Sequence, residues 1–434
     1  MTALPFSGPQ IGPVPVEFLL FAAVLAGVAL FHAHTLRIAV GGALVIALYK
    51  MLFSPFASGV GVDGFVGHLV HEWVVLVNLL LLLLGFALLA RHFEDSQVPA
   101  VLPRWLPDDA AGCFALLVGV FAISSFLDNI AAAMIGGAIA RTVFRGKVHI
   151  GYLAAIVAAS NAGGSGSVVG DTTTTMMWIA GIPPLEVFHA YVAAGVALVV
   201  CGIPAALQQQ AYSPMQKDAT PGARIDGLRL GIVVFILTAA VAVNIVVNTR
   251  HADAADAFPF LGVAVWVAIL TSARLRRPDW SQLPGAGRGA VFLLSLVLCA
   301  SMMPVERLPA ASWVSALGLG FLSAVFDNIP LTALAIQQGG YDWGFLAYAV
   351  GFGGSMIWFG SSAGVALASM YPEARSVGLW VARGWYVAVA YVVGFFVLLA
   401  TLGFHPGSAT RGQARAEPPA VAVQASEQLD EVKK

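Results

Sequence analysis

One short sequence word occurs twice in this chain, about two hundred residues apart and each time inside an apolar stretch. Each copy contains an Asp-Asn pair, Asp128-Asn129 in the first and Asp327-Asn328 in the second. The words and the Gly/Ser-rich segments that follow them cover residues 124–130 with 160–173 and 323–329 with 351–362. Paired carboxylates and paired helix-breaking segments in two halves are typical of secondary transporters built from repeats.

The composition places the chain in a membrane. Hydrophobic residues make up 59% of its 434 residues and charged residues 10%, with a mean hydropathy of +0.84, whereas soluble domains have about 25% charged residues. We therefore expect an all-α polytopic membrane protein whose partners are membrane lipid and small ions. The net charge of −1 gives no reason to expect a nucleic acid partner.

Apolar runs of about 17–25 residues predict spanning helices. These runs lie at about 15–31, 35–53, 72–90, 149–179, 184–206, 229–248, 256–273, 289–303, 343–370 and 378–403. Two further apolar stretches, 109–143 and 309–338, each have an Asp-Asn pair near the middle. Because charged, irregular backbone at bilayer depth is tolerated only where it is buried in protein or lines a cavity, we predict a re-entrant hairpin at each.

A polar segment divides the chain into two halves. The predicted organisation is an N-terminal segment at 1–14, a first transmembrane repeat at 15–207, a linker at 208–228, a second transmembrane repeat at 229–405 and a disordered tail at 406–434. Each half holds three spans, a hairpin, a broken span and a last span, and so crosses the membrane five times. Because five is odd, the second repeat is inverted relative to the first.

The basic residues predict the orientation. Most of them, including Arg91 and Arg104, fall on one side of this topology, whereas mainly Lys50, Arg250 and Arg307 fall in the loops of the other side. By the positive-inside rule the first side is cytoplasmic. The linker is then cytoplasmic, both termini are outside, and we expect a multi-pass protein of the cell inner membrane.

Asp128 and Asp327 are predicted to approach each other near the membrane centre, since their hairpins enter from opposite sides. Burial favours a protonated carboxyl group and a bound cation favours an ionised one, so such a group can exchange a proton for a metal ion. The alternative interpretation is structural, because an Asp before a helix also caps its N-terminus. One residue can do both.

The Gly-rich segments predict interruptions of two helices, at Asn161–Ser167 and around Ser355. An unwound stretch exposes carbonyl oxygens, and the helix that restarts presents N–H groups. Asp171, Thr172 and Thr173 stand at the first restart, and Ser361 and Ser362 stand opposite Asp171 and Thr172 in the second copy. Oxygen ligands of this kind suit a hard cation. Small residues for close helix packing are the alternative, and the preferred one for Gly163, Gly166 and Ala363.

The candidate cation- and proton-binding residues are Asp128, Asn129, Asn161, Asp171, Thr172, Thr173, Asp327, Asn328, Ser355, Ser361 and Ser362, with Asp128, Asp171 and Asp327 as the proposed Na⁺ ligands. No Arg or Lys falls within these motifs, so they contain no obvious partner for an anionic substrate. A membrane enzyme is disfavoured because the sequence has no Ser-His-Asp set and no His-Glu-x-x-His motif.

The motifs resemble those of the ion-transporter superfamily that includes arsenite pumps, citrate and dicarboxylate carriers, and sodium/proton antiporters, and they are most similar to the NhaD-type sodium/proton antiporters. The resemblance rests on residues 126–129, 161–164, 170–173, 327–330, 353–355 and 360–364. It extends over about residues 15–405. The Ser-Asn-Thr words usual in the dicarboxylate carriers are absent, since Ala162 follows Ser160-Asn161.

The resemblance implies two inverted repeats around a central site, a homodimer, and an exchange of Na⁺ or Li⁺ for protons without a cofactor. It also implies cation binding or relay by the residues Asp128, Asn129, Asp171, Thr172, Asp327, Asn328 and Ser361. A sodium- or proton-coupled carrier of citrate or another organic anion is the alternative within transport. Arsenite efflux is a further alternative.

Overall fold

The computed structural model describes residues 8–31, 34–167, 169–216, 224–250, 254 and 257–408. At 248 and 249 it describes the backbone alone. The predicted N-terminal segment, linker and tail therefore lie partly outside the described residues, at 1–7, 217–223 and 409–434. No prediction about those stretches is tested.

The described residues are mainly helical. After a pair of two-residue strands, β1 (Gln10–Ile11) and β2 (Val14–Pro15), the first half contains α1 (Val16–Leu30), α2 (Thr35–Phe53), α3 (Gly61–Asp95), α4 (Val98–Val101), α5 (Ala110–Ser124), α6 (Asn129–Val143), α7 (Ile150–Ser165), α8 (Thr172–Ile179), α9 (Pro184–Phe188) and α10 (Ala190–Tyr212). The second half contains α11 (Gly227–Arg250), α12 (Phe260–Ser272), α13 (Leu283–Ser301), α14 (Trp313–Ser323), α15 (Asn328–Gln338), α16 (Trp343–Gly353), α17 (Ser362–Met370), α18 (Val377–Arg383) and α19 (Trp385–Leu402).

Several of these helices have the length and composition of membrane spans. Six candidate segments are long and apolar enough to cross a bilayer, namely Thr35–Phe53, Gly61–Trp105, Pro184–Tyr212, Gly227–Val247, Trp280–Ser301 and Trp385–Leu402. Shorter apolar helices, including α1, α5 and α6, accompany them. The protein is therefore an all-α polytopic membrane protein, as its composition predicts.

The two apolar stretches with a central Asp-Asn pair are each a helix, a short turn and a second helix. In the first, α5 ends at Ser124 and α6 begins at Asn129, and in the second α14 ends at Ser323 and α15 begins at Asn328. The two Gly-rich segments likewise separate α7 from α8 and α16 from α17. The two Asp-Asn turns therefore lie where the sequence predicts them. The first Gly-rich break begins later than predicted, because α7 continues through Ser165 and only Gly166 and Ser167 of the predicted interruption at Asn161–Ser167 follow the helix.

Some boundaries differ from the predicted spans. The predicted span at 378–403 is two helices, because α18 ends at Arg383 and α19 begins at Trp385. Gly384 lies between them, close to the carbonyl of Trp380 and to the Ala154 side chain of α7. A Cβ atom at this position would meet both, so glycine is the residue that allows this close approach. Helix α3 is longer than its predicted span, since polar residues at both ends continue the helix beyond the apolar run.

The helices form two packing groups. Helices α1, α2, α3, α11, α12 and α13 contact one another, and so do α5, α6, α7, α8, α10, α14, α15, α16, α17 and α19. At the centre of the second group every residue of α16, and every residue of α7 after Ile150, is buried. The groups meet where α3 contacts α8 and α13 contacts α15. The starts of α8 and α15, which follow the first Gly-rich segment and the second Asp-Asn turn, lie at this junction.

Candidate functional site

Four polar residues each begin a helix in the second packing group. The side chains of Asp128, Asp171 and Asp327 accept hydrogen bonds from backbone N–H groups of α6, α8 and α15, at 3.2, 3.3 and 3.0 Å, and Ser361 accepts one from α17 at 3.3 Å. All four are therefore N-caps. A cap uses only part of a carboxylate's accepting capacity, so the capping role leaves oxygen lone pairs for another ligand.

Asn161 connects the two halves of the chain at the end of α7. Its Oδ1 accepts a hydrogen bond from Nδ2 of Asn129 at 3.0 Å. Its Nδ2 donates to the hydroxyls of Ser355 at 2.9 Å and Ser361 at 3.1 Å. With 0% exposure, the amide has both donors and its acceptor in use, and so it ties the first Asp-Asn turn to the second helix interruption.

Asp171 also has a contact from the other half. Its carboxylate accepts from Thr173 Oγ1 at 2.9 Å and from Asn328 Nδ2 at 3.4 Å. The residue is only 2% exposed. The second Asp-Asn turn thus reaches across to the first half at this carboxylate.

A cavity of about 430 Å³ lies at the junction of the packing groups. Among the predicted site residues, those that line it are Asp128, Asn129, Asp171, Thr172, Asn328 and Ser362. Its remaining walls are mainly apolar residues of α3 and α13, such as Leu83, Phe86 and Leu293. Two carboxylates, two amides and two hydroxyls therefore share one space.

Asp327 lies in a neighbouring cavity of about 280 Å³, whose other walls are largely apolar. Its Oδ2 accepts a hydrogen bond from Ser362 Oγ at 3.1 Å. Ser362 and Ile130 line both cavities, so one hydroxyl lies between Asp327 and the space that Asp128 and Asp171 share. The structure therefore brings the two Asp-Asn turns close together but gives Asp327 a separate pocket.

The other predicted site residues lie behind the walls. Asn161, Thr173, Ser355 and Ser361 are buried, and their polar side-chain atoms bond to protein groups. These four residues do not line the cavity, so they position the lining residues and do not contact a ligand inside it. Sequence reasoning grouped them with the ligands because a Gly/Ser-rich break shows where polar groups are, but not which way they point.

The same contacts occur in the two halves. Ser124 Oγ donates to the carbonyl of Ser160 at 2.5 Å, and Ser323 Oγ donates to the carbonyl of Val350 at 2.7 Å. Gly163 abuts the backbone carbonyl of Phe121, just as Gly353 abuts that of Gly320. Neither glycine has room for a Cβ atom, so close packing is what Gly163 provides, as the sequence analysis preferred.

Sequence reasoning missed the charged end of the larger cavity. Arg91 and Glu94 on α3 and Gln282 just before α13 also line it. Arg91 ends the apolar run of a predicted span and was used only as a marker of orientation. Its place on the same helical face as Leu83 and Ala87, which also line the cavity, could have been read from the 3.6-residue period.

The donor set suits a hard monovalent cation better than a transition metal. Carboxylate, amide and hydroxyl oxygens line the cavity, and these are the ligands of hard ions. Within the described ranges, no group of three or more His, Cys, Asp or Glu side chains is placed to hold a metal ion.

Comparison with known proteins identifies one matching family and several relatives. The profile of the family described as "Citrate transporter" matches residues 19–353. Sodium/proton antiporter 1 of Arabidopsis thaliana is 26% identical over 296 residues, which cover 58% of this chain and 49% of that protein. The matched part of this chain thus spans about half the length of that relative.

Two bacterial relatives match over a larger share of their length. The Na(+)/H(+) antiporter NhaD of Halomonas elongata is 27% identical over 354 residues, 67% of this chain and 68% of that protein. The Na(+)/H(+) antiporter NhaD of Vibrio parahaemolyticus is 26% identical over 361 residues, 68% of this chain and 83% of that protein. The predicted resemblance to the ion-transporter superfamily and its NhaD-type members is confirmed.

Proposed function

We propose, from the premise that the chain belongs to the citrate transporter family and is a secondary transporter rather than an enzyme, that it exchanges Na⁺ or Li⁺ for protons. Three of its relatives are named as Na(+)/H(+) antiporters of the NhaD type. The proposed location is the cell inner membrane.

The charge of the larger cavity is the observation that supports a cation as cargo. Its acidic lining residues are Asp128, Asp171 and Glu94, and its basic lining residue in the described part of the chain is Arg91. Arg91 forms ion pairs with Glu94, Asp95 and Asp279. A small cation therefore meets carboxylates here, whereas an anion would meet an Arg that is already paired.

In the proposed mechanism, Asp128 and Asp171 hold either Na⁺ or protons but not both. Two carboxylates in one water-poor space repel each other when both are ionised, which favours protonation of at least one. Na⁺ bound between them removes that repulsion and releases the proton. Thr172 and the amides of Asn129 and Asn328 would supply neutral oxygen ligands. Asp327, which is linked through Ser362, would bind a proton or cation in the neighbouring pocket.

Alternating access requires this site to face each side in turn. The equivalent turns, breaks and contacts of the two halves support the predicted inverted repeats and re-entrant hairpins. We propose that the packing group with the caps moves against the group that contains α3 and α13, since the cavity lies between them.

The test is Na⁺-induced dequenching of a pH dye in everted membrane vesicles, with Asp128→Asn as the main variant. Asn caps a helix about as well as Asp, so this change removes the charge and keeps the fold. We expect at least a tenfold loss of the Na⁺ response in Asp128→Asn, and a similar loss in Asp327→Asn.

Asp109→Asn is the matched control, because Asp109 is an exposed N-cap of α5 that accepts from Ala111 and Gly112 outside the cavity. It should keep the full response. A full Na⁺ response in both Asp128→Asn and Asp327→Asn would contradict the proposal.

A citrate or other organic-anion carrier is the second candidate, because the matching family carries that description. Uptake of radiolabelled citrate by proteoliposomes under a Na⁺ gradient would reveal it. We expect no such uptake, since both amide donors of Asn161 are already bonded and no unpaired Arg or Lys lines the cavity among the described residues. Na⁺-dependent citrate uptake without Na⁺/H⁺ exchange would replace the antiport proposal with this one.

A further inference from the structure

A group of ion pairs lies at one end of the larger cavity, away from the proposed binding residues. Arg91 and Glu94 on α3 line the cavity, and their side chains are 41% and 39% exposed. Asp171 in the same cavity is 2% exposed. The Arg91 end is therefore the mouth of the cavity and the Asp171 region is its interior. By the predicted topology this mouth faces the cytoplasm.

Arg91 holds the mouth together through three acids. It pairs with Glu94 at 2.9 Å, with Asp95 at 3.3 Å and, across to the segment before α13, with Asp279 at 3.5 Å. Gln282, which also lines the cavity, donates to Asp279 at 2.9 Å. The two long walls of the cavity, α3 and α13, are thus joined at the mouth by one guanidinium group.

Asp279 at the mouth is held in its ionised form by neighbouring side chains. Hydrogen bonds from Ser281 and Gln282 hold the pKa of Asp279 below its ordinary value. Three carboxylates surround Arg91, and one of them, Asp95, also pairs with Arg229 at 3.1 Å. The acids therefore outnumber the two guanidinium groups, so the local field attracts cations and Arg91 moderates it. Such a field acts on ions in the entrance before they reach the interior carboxylates.

We infer that the Arg91–Glu94 pair sets the apparent affinity for Na⁺ on the cytoplasmic side by fixing the charge of the cavity mouth. This inference rests on the proposed exchange of Na⁺. Glu94 raises the local Na⁺ concentration and Arg91 limits that effect while positioning Glu94. Neither residue belongs to the interior binding set. Removal of either one therefore changes how much Na⁺ is needed and leaves the maximal exchange rate in place.

The two variants have opposite expected effects. Glu94→Gln should raise the half-saturating Na⁺ concentration about two- to fourfold, and Arg91→Gln should lower it by a similar factor, as expected for one unit charge at about 10 Å in a largely aqueous entrance. Arg91→Lys keeps the charge and should restore the wild-type value. Asp63→Asn, which changes an exposed acid at the opposite end of α3, is the matched control and should have no effect.

Ionic strength and sidedness separate this role from a structural one. The shifts should be measured in everted vesicles, whose exposed face is the cytoplasmic one, at about 10 mM and again at about 500 mM of an impermeant salt. They should be largely lost at the higher concentration, where the Debye length falls to a few ångströms. In right-side-out vesicles the half-saturating Na⁺ concentration should not change. Detergent-solubilised variants should elute as the wild type does in size-exclusion chromatography.

Several results would overturn the inference. If wild-type vesicles exchange Na⁺ but both variants shift the half-saturating concentration in the same direction, not at all, or equally at high salt, the mouth does not act through its charge. Shifts of equal size on both sides would also contradict it. If the wild type exchanges no Na⁺, the proposed function fails and this inference fails with it.

Discussion

At the scale of single residues, Asn161 shows how a predicted ligand can be a connecting residue. Its position in the first half corresponds to Gly351 in the second, where a Cβ atom would come within 3.5 Å of Asp171 Oδ2. The second half has no amide at this position, and Asn328 donates instead to Asp171 of the first half. The two Asp-Asn turns therefore have different partners: Asn129 bonds to Asn161, and Asn328 bonds to Asp171.

Asn161→Ala should destabilise the protein and abolish exchange. It removes three hydrogen bonds at a fully buried site and leaves groups of Asn129, Ser355 and Ser361 without a partner, which costs about 2–4 kcal/mol in total. Thermal unfolding in detergent should show a clearly lower midpoint. Ser369→Ala, which alters an exposed hydroxyl on α17, is the control. An unchanged midpoint and normal exchange in Asn161→Ala would show that the connection is dispensable.

The residue types of the site and their positions in the chain were predictable, whereas the directions in which the side chains point were not. Both the lining residues and those behind the wall were predicted as binding residues, because a break in a helix reveals only where polar groups gather. Whether Thr172 or Thr173 faces the cavity depends on the turn that begins α8, and Thr173 is committed to Asp171 by its own hydroxyl. The position of Asp327 in a separate pocket depends on how two distant segments pack, which no local pattern encodes.

At the scale of helices, the interruptions follow from glycines that allow close approach. Gly163 and Gly353 stand in α7 and α16 against backbone carbonyls of α5 and α14. Both central helices are buried all round, so neither can move aside to admit a methyl group. That a break follows each Gly-rich segment was predictable for that reason. The end of α7 at Ser165, the ends of α3 and the split of 378–403 were not, since no apolar pattern marks them.

Gly163→Ala and Gly353→Ala should each lower the folded yield or the unfolding midpoint strongly, because overpacking a buried helix contact costs about 1–3 kcal/mol or more. Gly195→Ala in α10 is the matched control. A Cβ atom there meets nothing within 4 Å, so alanine should stabilise that helix by about 0.5–1 kcal/mol. The measurement is the thermal midpoint of purified protein. Similar midpoints for all three variants would contradict the packing argument.

At the scale of the whole molecule, the two packing groups are the natural units of a conformational change. Each has its own extensive internal contacts, and the larger cavity lies between them with the caps on one side and α3 and α13 on the other. The all-α membrane class was predictable from composition alone. The division into groups was not, because helices of both halves contribute to each. The expected homodimer remains a proposal.

Joining the two groups covalently should stop transport. In a variant without Cys113, Cys201 and Cys299, which are all free and buried, cysteines can replace residues across the contact of α13 with α15, such as Leu296 and Ala333. Both residues belong to one buried apolar cluster at this contact. A short bifunctional reagent should then abolish Na⁺/H⁺ exchange.

A cross-link within one group is the control for this experiment. The Tyr371 hydroxyl already donates to the carbonyl of Gly137 inside the second group. A cross-link between cysteines introduced near these two residues should therefore leave exchange intact. A reducible reagent allows activity to be recovered from the α13–α15 cross-link, which excludes damage by the chemistry itself. Complete cross-linking of α13 to α15 fixes the junction that encloses the cavity. If exchange persists after it, the site opens to the two sides by smaller movements within one group, and the proposed movement of one group against the other is wrong.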